Sequence, residues 1–423
     1  MRRTMTRSNL IFTHGAVFAV GIAGAMVANS FRGASDGTAR ETTSPASRSH
    51  SAGAAGRIES DEISRNSRSA KDQHRTGSKK ELGTAVDRLA GVVRITDAFE
   101  RQRALMDLID TLGPAEFAGV ADQFRDLDHL GDSRGEYALL LRGWAKADPL
   151  AALEYVGQHR GGERGRDAIL STWAGNDAAG AERWALDHHQ GDGPNPYLAS
   201  VISGIAGNDV AAASRMAQSM PLSRERGEAV DAITQALFLQ GTDAAMAFPA
   251  SITDEALRGG FVAAIANRLI DKDVNKAAAW VASMAQGDIQ NRAAREVANA
   301  LAKEDTQAAA AWVRTLKPEA QSEAARGVIP AMSRDDIAGT ARWVSGLVGT
   351  PNYDNVVEEF VWSCNSRAPE QSAAWIQGVS NPEQQHRLFQ RMLGEWAQHD
   401  AAAVKQWVAT NTVPDDIRRR FLR

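Results

Sequence analysis

The sequence predicts an all-α fold: a right-handed α-solenoid of about nine antiparallel helix-pair repeats of 29–34 residues, preceded by an N-terminal hydrophobic segment and a disordered linker. Three observations carry this expectation. An Asp followed seven residues later by a Trp, with small residues between, recurs along the chain; Trp173-Ala174-Gly175-Asn176-Asp177 with Ala181 and Trp184 is the clearest copy. The segment before each Asp holds apolar residues four apart, the spacing of one helix face. Ala is abundant throughout, and period-two runs of strand-forming residues are few.

Aligned on the Asp as position zero, the copies are Asp148, Asp177, Asp209, Asp243, Asp273, Asp305, Asp336, Ala368 and Asp400, in steps of 29, 32, 34, 30, 32, 31, 32 and 32 residues by subtraction. Position +4 reads Ala152, Ala181, Ala213, Ala247, Ala277, Ala309, Thr340, Ser372 and Val404. Position +7 reads Tyr155, Trp184, Met216, Ala250, Trp280, Trp312, Trp343, Trp375 and Trp407. Position −4 reads Trp144, Trp173, Ile205, Leu239, Leu269, Leu301, Met332, Cys364 and Trp396.

Asp suits an N-cap, because its carboxylate accepts hydrogen bonds from the free N–H groups of the first turn and favours the positive end of the helix dipole. Pro149 follows Asp148 at the first helical position, where a missing N–H costs nothing. Positions 0, +4 and +7 share a face, so the small +4 residue admits a neighbouring helix and the +7 Trp fills the space beside it. Upstream, Leu140 with Trp144, Ile169 with Trp173, Val297 with Leu301 and Met392 with Trp396 mark a second helix. Each unit therefore reads as helix A, a turn of about three residues, and helix B, whose stripes are buried by stacking on the next unit. If the Trp312 ring is fully buried, Trp312→Ala costs roughly 3–5 kcal/mol.

Two copies depart from the pattern. The fourth has Pro249 inside helix B and Ala250 in place of Trp; the eighth has Ala368-Pro369 and no capping Asp. One reading is drift in a tolerant array; the other is a bend at the fourth repeat that shapes a binding surface. Residues 83–133, with Leu105, Leu108, Leu112 and Phe117 packing inward, are expected to close the front of the array. Pro414 to Arg423 is expected to be the first helix of a truncated tenth unit or a polar cap.

The period and helix pairing over roughly residues 83–412 resemble the α-solenoid proteins of the tetratricopeptide and HEAT kind. The step varies, however, and the tetratricopeptide Trp-x2-Leu-Gly-x2-Tyr pattern is absent. The wording Trp-Ala-x-x-Asp-Pro-x-Ala-Ala at Trp144–Ala152 looks like a group of exported bacterial repeat proteins. That resemblance implies helical hairpins and a scaffold role, and carries over no catalytic residue.

Ahead of the array, Arg2, Arg3 and Arg7 precede an apolar stretch from Leu10 to Ala28, interrupted by Thr13 and His14. This is the pattern of a cleaved signal peptide or of an uncleaved membrane anchor, with the remainder of the chain outside the cytoplasm, in the periplasm. Ala23-Gly24-Ala25 and Ala28-Asn29-Ser30 both suit a signal peptidase. No Cys lies nearby, which argues against a lipid-modified N-terminus. Residues 31–80, rich in Ser, Gly, Ala and Arg, read as a disordered linker. Residues 1–30 carry +3 and 31–80 carry +4; the whole chain is −4, which leaves −11 on residues 81–423. An acidic array argues against nucleic acid, whose phosphates need a basic face. The basic linker reads as a solvated spacer, with contact to anionic lipid as the alternative.

Searching for chemistry assigns no catalytic, cofactor-binding or metal-ligating residue, and no cofactor. His188 and His189 are adjacent and so point to different helix faces, a poor chelating pair. His386 and His399 are isolated. Gly161-Gly162 and Gly191-Asp192-Gly193-Pro194 follow helices and read as stops. The single cysteine, Cys364, occupies a core position and reads as a buried thiol. The repeated Asp residues read as N-caps: about 10 Å apart along a stack, they miss the ~5–9.5 Å convergence that paired catalytic carboxylates need. The expected function is a non-catalytic scaffold or adaptor of the cell envelope that presents its surface to a protein or peptide, tethered through residues 10–28 if these are uncleaved. Two alternatives stand beside it: an enzyme whose site forms only by spatial convergence, and a self-assembling envelope protein.

Overall fold

The computed structural model describes residues 83–126, 134–159 and 162–422, and among them it is all-helical, with no strand. The expected hydrophobic segment at 10–28 and the expected linker at 31–80 lie outside the described residues. Among the described residues, no helix is long and apolar enough to cross a membrane. By their contacts the described residues belong to one unit, Ser67–Arg423.

Three helices lead: α1 (83–93), α2 (Ala98–Ile109) and α3 (Phe117–Asp126). Leu105, Leu108, Leu112 and Phe117 are buried there, as the apolar spacing requires. Pairs follow: α4 (Arg134–Ala147) with α5 (Pro149–Gly157), α6 (Glu163–Asn176) with α7 (Ala178–Asp187), and α8 (Leu198–Ala206) with α9 (Val210–Ser219). Next come α10 (Arg224–Gln240) with α11 (Thr242–Ala247) and its 3-10 continuation Phe248–Ser251, then α12 (Glu255–Lys272) with α13 (Val274–Ser283). The series continues with α14 (Asp288–Glu304) and α15 (Thr306–Val313), α16 (Pro318–Asp335) and α17 (Ile337–Ser345), and α18 (Tyr353–Cys364) and α19 (Pro369–Ile376). The helix α20 (Pro382–Thr410) is itself a pair, broken at Asp400, and α21 (Asp415–Leu422) ends the chain with Ile417 buried.

The joint inside each pair is one residue, not the three the sequence implied. At Asp148, Asp177, Asp209, Asp273, Asp305, Asp336 and Asp400 the backbone is extended, φ −139 to −164° and ψ 82 to 109°. That residue does three things at once. Its N–H closes helix A on the −4 carbonyl, its C=O accepts from the +4 N–H, and its carboxylate accepts the +3 N–H at 2.8–3.0 Å. The two helices are thereby tied through one residue without a loop, so they meet at a fixed angle.

This joint corrects the register of the fourth pair. Its position zero is Gly241, not Asp243: Gly241 N–H bonds the Leu237 carbonyl and Ala245 N–H bonds the Gly241 carbonyl. The step from Asp209 to Gly241 is then 32 residues, and from Gly241 to Asp273 again 32. Position −4 becomes the buried Leu237, where Leu239 is 84% exposed; position +4 becomes the buried Ala245, and +7 becomes Phe248. Asp243 instead lies in the first turn, exposed, with its carboxylate 3.2 Å from Lys276 Nζ. The Asp motif does not mark this joint because its φ +130°, ψ 152° is open essentially to glycine alone.

The buried seam of each B helix also differs from expectation. All nine residues at +4 in the corrected register, Ala152 through Val404, are fully buried. The partner on that seam is +8, one turn on, which includes Ala185, Val281, Val313, Val344 and Ile376. Position +7 lies 100° around the helix, so its ring borders the core: Trp343 and Trp407 are buried, whereas Trp184, Trp280, Trp312 and Trp375 are half-buried. Trp312→Ala therefore costs less than the full burial value.

Contacts run locally. Each A helix packs on the next A helix, on its own B helix and on the B helix before it; the main contacts join helices no more than two places apart. Glycine sets the closest approach at α14–α16, where a Cβ on Gly327 would overlap the Arg295 carbonyl oxygen. Apolar side chains form one core through α18, where Val356, Phe360 and Cys364 face back, and a second beyond it, to which Val357 and Val361 contribute.

Candidate functional site

A position that no motif letter marks organises the far end of six B helices. A long polar side chain near the start of the next A helix donates to the carbonyls that close helix B. Arg226 donates to Met220 O, Arg258 to Ile252 O, Gln290 to Val281 O and Met284 O, Gln321 to Leu316 O, Gln385 to Val379 O, and Arg418 to Val408 O and Asn411 O. These carbonyls lie in the last turn of helix B or just past its end, where the helix supplies few donors; Val281 O also accepts the Met284 N–H. Arg and Gln alternate at this place, so no single letter marks it; only a donor at fixed distance from the joint does.

The fourth pair departs from its neighbours. Pro249 has no N–H to continue the α ladder and its ring crowds the preceding turn, so α11 stops at six residues and tightens to a 3-10 turn. The proline thus ends the helix rather than kinking it from within. The next pair does not fill the shortened end, and a cleft of about 460 Å³ remains between them. Met246, Pro249, Val262, Met284 and Ile289 make its apolar floor. Trp280 forms a wall, and its Nε1–H donates to the otherwise free Met246 carbonyl at 3.2 Å. Phe248 is turned away, edge-on to Phe261 with centroids 5.1 Å apart. Behind the floor Gln290 is 2% exposed; its Nε2 is occupied as above and its Oε1 has no partner among the described residues. Glu255, Arg258 and Asp288 stand around the cleft. At the start of α12, Asp254 accepts from Leu257 N–H at 2.6 Å and from Arg226 Nη2 at 2.7 Å. The backbone hydrogen bond first, and then the Arg226 guanidinium, hold its carboxyl below the usual carboxylate range.

The lining contains no Ser, Cys, His, Lys or Tyr, and its titratable groups are Glu255, Arg258 and Asp288. What the cleft offers is apolar contact on adaptable Met and rigid Trp surfaces, with a few polar groups to orient an occupant. Two further clefts are more polar: one between α15 and α17 beside Arg314, Arg342 and Trp343, and one of about 690 Å³ between the start of α18 and the end of α19.

His188 Nδ1 donates to the Trp184 carbonyl at 2.9 Å while its ring stacks on that Trp; His189 Nε2 lies 2.9 Å from the Gly193 carbonyl. His386 pairs with Asp416 at 2.6 Å, and His399 is exposed. Cys364 is fully buried, and burial pushes its thiol up. Gly161 lies outside the described residues; Gly162 precedes α6 as its N-terminal cap residue, and Gly191 adopts φ +98°. Among the described residues, no group of three or more His, Cys, Asp or Glu is placed to hold a metal ion.

No protein-family model matches the chain, and no curated protein matches it. Among solved structures, the crystal structure of Ton1535 from Thermococcus onnurineus NA1 aligns over 82% of this chain and 98% of its own at 16% identity, with a TM-score of 0.25, too slight a likeness to bear on fold or function.

Proposed function

We propose that the protein is a non-catalytic binding scaffold: a right-handed α-solenoid of about nine helix pairs, exported and held in the cell envelope or released into the periplasm, that seats an apolar side chain of a protein or peptide partner in the Pro249 cleft. Main contacts between helices no more than two places apart, and a joint recurring about every 32 residues, support the stacked reading. The observation that carries the function is the cleft itself: a concave apolar floor of Met246, Pro249, Val262, Met284 and Ile289, at the point where the repeat is interrupted. The Trp-Ala-x-x-Asp resemblance and the Leu10–Ala28 stretch support export, by signal or anchor. Acidic charge of −11 on residues 81–423 disfavours nucleic acid as partner.

The test uses the full-length protein as bait in an envelope extract, beside Ala250→Trp and Ala285→Trp, two exposed lining positions whose enlargement fills the cleft. A partner retained by the unaltered protein and lost from both variants, with unchanged melting curves, supports the reading. A partner retained equally by all three, or none retained by any, overturns it.

A further inference from the structure

The cleft between the start of α18 and the end of α19 has a different chemistry from the Pro249 cleft, and we propose that it binds a neutral oligosaccharide. Its volume of about 690 Å³ lies within the roughly 300–1,000 Å³ of small-molecule sites. Two aromatic rings line it, Trp375 and Tyr353, both half-buried; the Trp375 ring is braced edge-on by Phe360 with centroids 5.0 Å apart. Amides surround these rings. Gln384 Nε2 donates to Glu358 Oε2 at 2.7 Å and to Asn355 Oδ1 at 3.2 Å, which fixes both amides and leaves Gln384 Oε1 and Asn355 Nδ2 unpartnered among the described residues. Asn381 Oδ1 accepts the N–H groups of Glu383 and Gln384, both at 3.0 Å, which leaves its Nδ2 as a donor. The Asn352 side chain has no partner among the described residues.

Charge separates the ligand classes. Among the lining residues Asp354 alone carries a formal charge, and its two oxygens accept Ser380 N–H and Asn381 N–H, each at 2.9 Å. No Lys or Arg lines the cleft to meet a phosphate or carboxylate, and one occupied carboxylate holds no cation. An apolar side chain would strand the free amides against a dry surface, at a desolvation cost. A neutral polyol satisfies both features: its hydroxyls donate to and accept from fixed amides, and its C–H faces cover the aromatic rings. Burial first, then Asp354, push the Tyr353 phenol up, so it adds a neutral hydroxyl.

The loop 346–352 is held in place before any ligand arrives. Buried Ser322 hydrogen-bonds the Pro351 carbonyl and, at 3.0 Å, Thr350 Oγ1. Asn352 follows at φ 59°, ψ 28°, the one non-glycine residue with positive φ among the described residues, which carries its amide to the cleft. Asn tolerates this conformation better than other side-chain-bearing residues.

The full-length protein, fluorescently labelled, is applied to an array of neutral and acidic oligosaccharides, and the strongest neutral binder is titrated by calorimetry and by Trp fluorescence. Saturable binding of a neutral glycan is expected. It should weaken at least tenfold in Asn352→Gly, which keeps the backbone conformation and removes the amide, and in Trp375→Ala. Because Trp375→Ala removes a half-buried ring, Asn352→Gly carries the decision if the former fails to fold. No binding to any neutral glycan, binding confined to acidic glycans, or binding unaffected by Asn352→Gly overturns the assignment. The outcome is independent of the Pro249 cleft, whose variants leave these residues untouched.

Discussion

The same substitution should have opposite effects at the two joints that lack an aspartate. Ala368 already has the capping geometry, φ −143°, ψ 64°, followed by Pro369 at the first helical position. Asp148-Pro149 is the same arrangement with the cap present, its carboxylate 3.0 Å from Ala151 N. Ala368→Asp should therefore add one N-cap hydrogen bond, worth about 1 kcal/mol, and raise the melting temperature by about 2 °C for a unit of this size. Gly241 is at φ +130°, ψ 152°, and nothing stands within 4 Å of a built Cβ, so Gly241→Asp meets no steric obstacle. Its cost is backbone strain, about 1–3 kcal/mol, and its carboxylate leaves from a different direction and caps nothing. Urea and thermal denaturation of both single variants and of the double variant measure this. If Gly241→Asp stabilises as Ala368→Asp does, the one-residue joint is not set by backbone conformation, and the register assigned to the fourth pair is wrong.

Three further outcomes follow. Trp343 Nε1 is buried and unpartnered whereas Trp280 Nε1 donates to Met246 O, so Trp280→Phe should lose about 1 kcal/mol more than Trp343→Phe by chemical denaturation. Gly327→Ala should lower stability by roughly 1–3 kcal/mol, because the methyl group forces α14 and α16 apart, while Gly227→Ala, with open space at its Cβ, should not destabilise. Asp254 has a lowered folded pKa, so its contribution is fully present above the unfolded carboxylate value, about 3.9, and is lost as pH falls through the lower folded value. The melting-temperature difference between the unaltered protein and Asp254→Asn should be constant from neutral pH down to about 3.9, shrink as pH falls further, and vanish below the lowered folded value.

Element type and the joint residues were legible in the sequence because capping is a local interaction: the Asp side chain bonds a backbone group three residues on. The −8 and −4 stripes were legible for the same reason, as one helix face. What was not legible is what depends on the neighbouring pair. Whether Trp312 or Trp343 is the buried ring is decided by the helix across the seam, not by their shared +7 position. The donor at Arg226, Arg258 and Gln290 was hidden by its interchange between Arg and Gln, and by an acceptor on another helix. In the fourth pair two nearby letters competed: Asp243 matched the motif, whereas Gly241 matched the backbone. The even 32-residue step on both sides of position 241 and the fully apolar Leu237 were the signals that could have corrected it.

The two clefts share an origin in how the joints fix the pairs. Where the connection is regular, each pair covers most side chains of the one before it, with a polar cleft left between α15 and α17. The Pro249 cleft opens because a B helix ends early, at Ala247, and the following Trp280 has a carbonyl rather than a packed helix to meet. The α18–α19 cleft opens because the connection into α18 is long, 346–352, where those into α14 and α16 take four residues each. One departure removes backbone and leaves apolar side chains uncovered; the other adds backbone and brings amides with it. The first surface is therefore mainly apolar and the second rich in amides, although the helices beneath both obey the same register. Sequence variation that leaves the joints untouched but alters helix B length or the connection to the next helix A would reshape the clefts between pairs while keeping the joints themselves.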